Sequence, residues 1–273
     1  MKQERIRGAC ALGVIAALAA AAPAVSQAEE TSDDWQFAAT IYGWLPSIDG
    51  DLAVPADNGV SLGVNPSDIL DALNFTFMGV LEADKGRWGL ATDVIYLDLG
   101  SSKKNFRDFT IGEQELPATA TAKVDLDVTG WLWTLGGSYL VIDDPSHPMK
   151  LMAGARMLNL GTDLKWRIEG DITGIPLPGR NGKADASDTV WDAIVGLKGR
   201  VNFGDEGKWF VPYYVDVGTG DSNFTWQGIT GLGYAFGWGD LVGVWRYLDY
   251  DEISDNVDSI TFDGAAVGVT FRF

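Results

Sequence analysis

The chain has one cysteine and one histidine in 273 residues, and only 20 basic side chains against 38 acidic ones. Each shortage excludes something. The lone cysteine, Cys10, lies near the start, so the rest of the chain has no disulfide framework and no thiol chemistry. Any histidine-dependent catalysis would have to be built around His147 alone. A net charge of −18 argues against nucleic acid or an anionic lipid surface as the main partner. Beyond residue 28 there is no stretch of about 18 consecutive apolar residues, so no transmembrane helix is encoded. A chain without such a helix can still cross a membrane as a closed barrel.

What is present begins with a leader. Lys2, Arg5 and Arg7 precede an apolar run from Ala9 to Ala22, and Ser26-Gln27-Ala28 is a small-residue processing site. The run is too short for a span and is followed by a cut site, so residues 1–28 are expected to be a cleaved secretory signal peptide. It takes three of the 20 basic and one of the 38 acidic residues, leaving 17 against 37, a net of −20. The remaining segment, 29–273, is long enough for one large β domain.

That segment alternates with period two. Between Asp188 and Phe203 the even positions are charged, small or aliphatic, from Asp192 to Arg200. The odd ones are mostly apolar, with Trp191 and Phe203 towards the two ends. Phe75, Phe77 and Leu81 alternate with Thr76 and Glu82, and Trp88, Leu90 and Val94 with Gly89, Ala91 and Asp93. Trp209, Val211, Tyr213 and Val215 alternate with Tyr214 and Asp216. One face suits lipid with aromatic girdles, the other a crowded lumen. Connections are tight at one end (84–87, 143–149, 204–208, 237–240) and mostly longer at the other (47–72, 100–118, 169–187, with short tips at 218–222 and 252–258). Short periplasmic turns and longer external loops are the outer-membrane pattern. The expected fold is an all-β, transmembrane antiparallel up-and-down barrel of about ten strands: 35–46, 73–84, 87–99, 119–142, 150–168, 188–203, 208–218, 222–236, 240–252 and 259–273.

The chain stops on Val267-Gly-Val-Thr-Phe-Arg-Phe273. Val267, Val269, Phe271 and Phe273 share one face of a closing strand, with Gly268, Thr270 and Arg272 on the other. The ending resembles the signal by which barrel-assembly machinery recognises its clients, carried here by Gly268, Phe271 and Phe273, with Ala266 where a polar residue is usual. Several internal motifs also resemble an uncharacterised family of Gram-negative outer-membrane β-barrel proteins. They are Trp191-Asp-Ala-Ile-Val-Gly-Leu-Lys-Gly-Arg200, Asp216-Val-Gly-Thr-Gly-Asp-Ser-Asn-Phe-Thr-Trp-Gln227 and Trp245-Arg-Tyr-Leu-Asp-Tyr-Asp251, with Gly154-Ala-Arg156 and Asn65-Pro-Ser-Asp-Ile-Leu-Asp71. The resemblance implies an outer-membrane compartment and a barrel fold, and no reaction. The expected surroundings are outer-membrane lipids and lipopolysaccharide.

Candidate sites are few. His147, in Asp144-Pro-Ser-His-Pro148, falls in a turn at the periplasmic end, and Ser146 beside it is not an oriented nucleophile. No catalytic residue and no cofactor is expected, and the chain reads as a non-enzyme. The inward-facing charges are Glu82, Asp93, Asp125, Asp127, Arg156, Asp192, Lys198, Arg200, Asp216, Arg246 and Arg272. They are expected to plug a narrow lumen as an ion-pair network, since each buried charge needs a partner. The alternative is a small passive pore for ions or small polar solutes whose selectivity they set. Asn65, Pro66 and Asp68 open a short helix expected to cap the rim rather than to constrict the mouth. The acidic stretches around Asp49-Gly-Asp51, Asp57 and 249–258 read as solvated loops without a cation-binding framework.

Overall fold

A computed structural model describes residues 34–52, 60–100, 104–106, 120–172, 175–176, 180–254 and 257–273. The expected signal peptide lies outside them, as does Asp57. Ten long antiparallel strands run in chain order around a closed circuit. They are β1 (Gln36–Leu52), β2 (Leu73–Lys85), β3 (Trp88–Leu99), β4 (Ala120–Ile142), β5 (Met149–Ile172), β6 (Arg180–Phe203), β7 (Trp209–Gly220), β8 (Phe224–Phe236), β9 (Gly239–Ser254) and β10 (Val257–Arg272). β1 pairs with β10 from Ala38↔Arg272 to Asp51↔Ser259, which closes the wall. Short strands at 60–64, 104–106 and 175–176 pair with β1, β4 and β5.

Period-two alternation sorts the side chains. Ile41, Leu81, Leu90, Val195 and Val267 are each more than half exposed, while their strand neighbours turn inward. So broad an exposed apolar band belongs against lipid. Rings bound it at both ends. At the turn end Trp35 stacks on Phe37, Phe37 on Phe273, and Trp238 lies between Phe236 and Phe271. At the other end Phe75, Tyr96 and Trp131 form a chain of tilted rings, and Trp133 meets Trp191 edge-on. The turns are tight; Gly86, with φ +56°, supplies the left-handed residue of the β2–β3 hairpin.

Two expectations about loops need correction. The segment 169–187 is mostly strand, because β5 and β6 stay paired out to Ile168↔Arg180. β4, β5 and β6 are 23, 24 and 24 residues long, against about 9–11 needed to cross the hydrocarbon. Their surplus forms a ribbon beyond the girdle. The stretch 169–187 is rich in glycine, proline and charge, so the sequence there reads as a loop. The stretch 47–72 likewise carries the end of β1, a short strand and the helix α1 (Pro66–Ala72). Asn65 sits at the N-cap without a side-chain cap; its carbonyl takes the N–H groups of Asp68 and Ile69.

Candidate functional site: the barrel lumen

The lumen is filled in three tiers. Nearest the turns, Lys198 Nζ donates to Glu82 Oε1 at 2.6 Å and Lys150 pairs with Asp84 at 3.0 Å. Asp240 takes Arg272 in close contact and Arg200 at 3.7 Å. The Arg200 guanidinium also lies 5.3 Å from the centre of the Phe210 ring. That ring occupies the space that any side chain at Gly233 would need, which explains a glycine in the middle of β8.

The middle tier is a relay across the barrel. Asp93 on β3 accepts from Tyr42 Oη at 2.6 Å and pairs with Arg246 at 3.0 Å. Arg246 also donates to Tyr42 Oη at 3.0 Å and, through Nε and a terminal nitrogen, to Gln227 Oε1 at 3.0 and 2.7 Å. Gln227 Nε2 reaches Asp216 at 3.4 Å, and Asp216 pairs with Arg156. Both side chains of that last pair are 0% exposed. Asp192, on β6, accepts the Ser222 backbone N–H at 3.0 Å. In the two polar tiers the described inward charges are equal in number, six cations (Lys150, Arg156, Lys198, Arg200, Arg246, Arg272) and six carboxylates (Glu82, Asp84, Asp93, Asp192, Asp216, Asp240), with Arg200 and Arg272 sharing Asp240 and Asp192 held by a backbone N–H. Since the chain carries −18, its acidic excess lies elsewhere.

The third tier, towards the external mouth, is apolar. Trp44, Met78, Ile95, Leu132, Leu158, Val190, Leu248 and Phe262 are all buried in one cluster. Trp44 rests on the tier below, with the Arg246 guanidinium 4.7 Å from its ring centre. Helix α1 does more than cap the rim: Ile69 is 2% exposed and lines the same apolar space, so the helix narrows the mouth.

Nine of the eleven charges singled out in the sequence therefore face the lumen. The side chains of Asp125 and Asp127 lie outside the described residues; their backbone belongs to the part of β4 beyond Trp131. Asp84, Lys150 and Asp240 were not among the eleven because they sit beside turns and read as turn residues. The apolar tier was missed altogether. Its signal is the loss of alternation where both faces become apolar, as in Trp131-Leu-Trp133. His147 is exposed in the β4–β5 turn, 3.6 Å from the Asp144 carboxylate. Among the described residues no group of three or more His, Cys, Asp or Glu is arranged to hold a metal ion. At the closing seam Gly268 faces in and Phe271 and Phe273 face out, with Phe273 and Phe37 exchanging backbone hydrogen bonds at 3.0 and 2.9 Å.

Neither a protein-family model nor a curated protein matches the sequence. Among solved structures the chain is similar to the outer membrane protease OmpT of Escherichia coli, with 12% identity, 90% of this chain and 100% of that one covered, and a TM-score of 0.55. Ail, the attachment invasion locus protein of Yersinia pestis, matches at 9% identity over 88% and 98% of the two chains, with a TM-score of 0.32. The neisserial surface protein NspA matches at 14% over 88% and 97%, with a TM-score of 0.27. The fold is that of an outer-membrane β-barrel. Of these three, OmpT alone superposes closely enough to bear on this, and at such identities the likeness extends to fold alone. The belted apolar exterior of the barrel accords with it, because only lipid covers such a band.

Proposed function

We propose that this outer-membrane barrel is non-catalytic, that side chains block its lumen to polar solutes, and that it serves the envelope through its structure or its external surface. The observation that carries the reading is the charge balance of the lumen. A conducting pore keeps its charged groups hydrated and free to bind and release passing ions. Here the cations and carboxylates are matched in number, with Arg156 and Asp216 fully buried at mid-height. The apolar tier above adds a dry obstruction in the same path. Ten strands make a lumen only modestly wider than the eight-stranded kind that side chains fill.

Against catalysis stands the position of His147, in a turn at the end opposite the mouth. OmpT is a protease by name; no reaction comes to this chain from a 12% identical fold. On this reading the partners are outer-membrane lipids, lipopolysaccharide and, through Gly268, Phe271 and Phe273, the assembly machinery.

Single-channel recording in a planar bilayer tests the proposal. The wild type and a variant with Lys198→Glu and Arg200→Glu are both expected to insert, to migrate heat-modifiably on gels, and to carry no steady current. A steady conductance whose ion selectivity shifts with the reversal would instead make the chain a small passive pore.

A further inference from the structure

One part of the wall is not zipped. The ladder between β1 and β2 runs from Gln36↔Asp84 to Ile41↔Gly79 and stops there, although β1 continues to Leu52 and β2 begins at Leu73. From Ile48 to Leu52 this edge of β1 is taken by the short strand at 60–64, so among the described residues the open stretch is 42–47 of β1 against 73–78 of β2. Odd-numbered N–H groups of β1 point to β10, as the bond from Phe37 to Phe273 shows, so the even-numbered ones point to β2. The Trp44 N–H accordingly has no strand acceptor and goes to Met78 Sδ at 3.1 Å, a weak partner. The next even position is Pro46, which has no N–H to satisfy. The β1 rim thus presents few stranded donors where its partner strand is missing, as an opening onto hydrocarbon requires.

The approaches on both sides of this gap are apolar. On the outside Leu45, Phe75 and Phe77 are exposed, level with the Tyr96–Trp131 girdle. On the inside lies a small apolar pocket of about 50 Å³. Trp44, Pro46 and Met78 line it at the gap, Ile69 lines it from α1, and Ile95 and Leu158 stand across the lumen. Arg246, under Trp44, is its floor.

We propose that the gap between β1 and β2 is a side entrance through which the end of an acyl chain of an outer-leaflet lipid enters the apolar tier of the lumen. The gap faces the bilayer rather than water, so the occupant comes from the membrane. The pocket lining offers no charged side chain, so only a hydrocarbon tail enters and the headgroup stays at girdle height. The ion-paired floor stops the tail at mid-lumen. This goes beyond the blocked-lumen reading and is separable from it: a lumen closed to ions along its axis still admits hydrocarbon from the side, and loss of one property leaves the other measurable.

Photolabelling tests it. The protein is purified from outer membranes and reconstituted in phosphatidylcholine vesicles containing a phospholipid with a diazirine at the end of one acyl chain. After irradiation, adducts are mapped by peptide mass spectrometry. Adducts are expected on the inward residues Ile95, Leu132 or Leu158 as well as on the outward Leu81 and Leu135. Leu158→Trp, which fills the pocket, should lower the inward adducts about tenfold and leave the outward ones unchanged. Heat-modifiable migration confirms that the variant is folded; if it is not, Ile95→Phe takes its place. Labelling confined to outward residues overturns the proposal, as does inward labelling unchanged in the folded variant. Inward labelling by a free diazirine alkane, but not by the phospholipid, overturns the assignment to a lipid chain.

Discussion

Arg246 and Leu248 are successive inward residues of β9, roughly 7 Å apart along the strand, and they belong to different kinds of interior. Arg246 is held by four polar contacts to Tyr42, Asp93 and Gln227. Leu248, 0% exposed, belongs to the apolar cluster. The turn-side half of the lumen is therefore directional: each group has few acceptable partners, and losing one strands another. The mouth-side half is non-directional, and a missing methyl leaves only a void. The first kind of packing specifies which strands face each other; the second tolerates an adjoining pocket and an incomplete wall.

The comparison is sharpest at Asp216. Asp216→Ala leaves Arg156 charged, buried and without its carboxylate, and should cost about 3–5 kcal/mol. Urea unfolding of the reconstituted protein would register this as a large drop in midpoint. Replacing both partners together, Arg156→Met with Asp216→Leu, should recover most of the loss, because no charge is then left alone. A double variant as unstable as the single one would mean that the ionic half is net stabilising rather than mainly specifying.

In the apolar half Leu158→Ala removes packing and no charge, so the loss should fall towards the low end of about 2–5 kcal/mol, since the pocket already borders the site. Its size should not change between low and high salt in the same urea experiment. If it exceeded the loss at Asp216, the division of the lumen into a steep and a graded half would fail.

The smallest effect lies outside the membrane, in the β4–β5 turn. The Ser146 backbone N–H, 2.7 Å from the Asp144 carboxylate, holds its pKa below the usual range, helped by His147 nearby. A carboxyl lowered on folding stabilises the native state above its unfolded pKa of about 4, and the contribution disappears as pH falls through the folded value. Asp144→Asn should lower the unfolding temperature on gels slightly at neutral pH and leave it unchanged at pH values below the folded pKa, so that the acid limb is flatter. An acid limb identical to wild type would remove the turn from the account of acid stability.

Much of this architecture is legible in the residues. The ten strands, their order and the inward position of Arg156, Asp192, Lys198, Asp216 and Arg246 follow from alternation, because every residue of a bilayer-crossing strand has to choose between lipid and lumen. Asp84, Lys150 and Asp240 were harder to place, since a charge within two residues of a turn looks the same whether it bends inward or stays in water. The apolar tier was hidden for the opposite reason: where Trp131, Leu132 and Trp133 follow one another, the contrast between faces on which alternation depends is gone.

The sequence by itself determined that this chain makes a belted, closed, antiparallel barrel, because lipid and backbone hydrogen bonding act on each strand locally and with period two. Only the tertiary structure decided which charges meet, that the lumen divides into an ionic and an apolar half, and that β1 and β2 part above Ile41 and Gly79. Those outcomes depend on residues brought together around the circumference, such as Tyr42 and Arg246, 204 positions apart, and no local pattern records them.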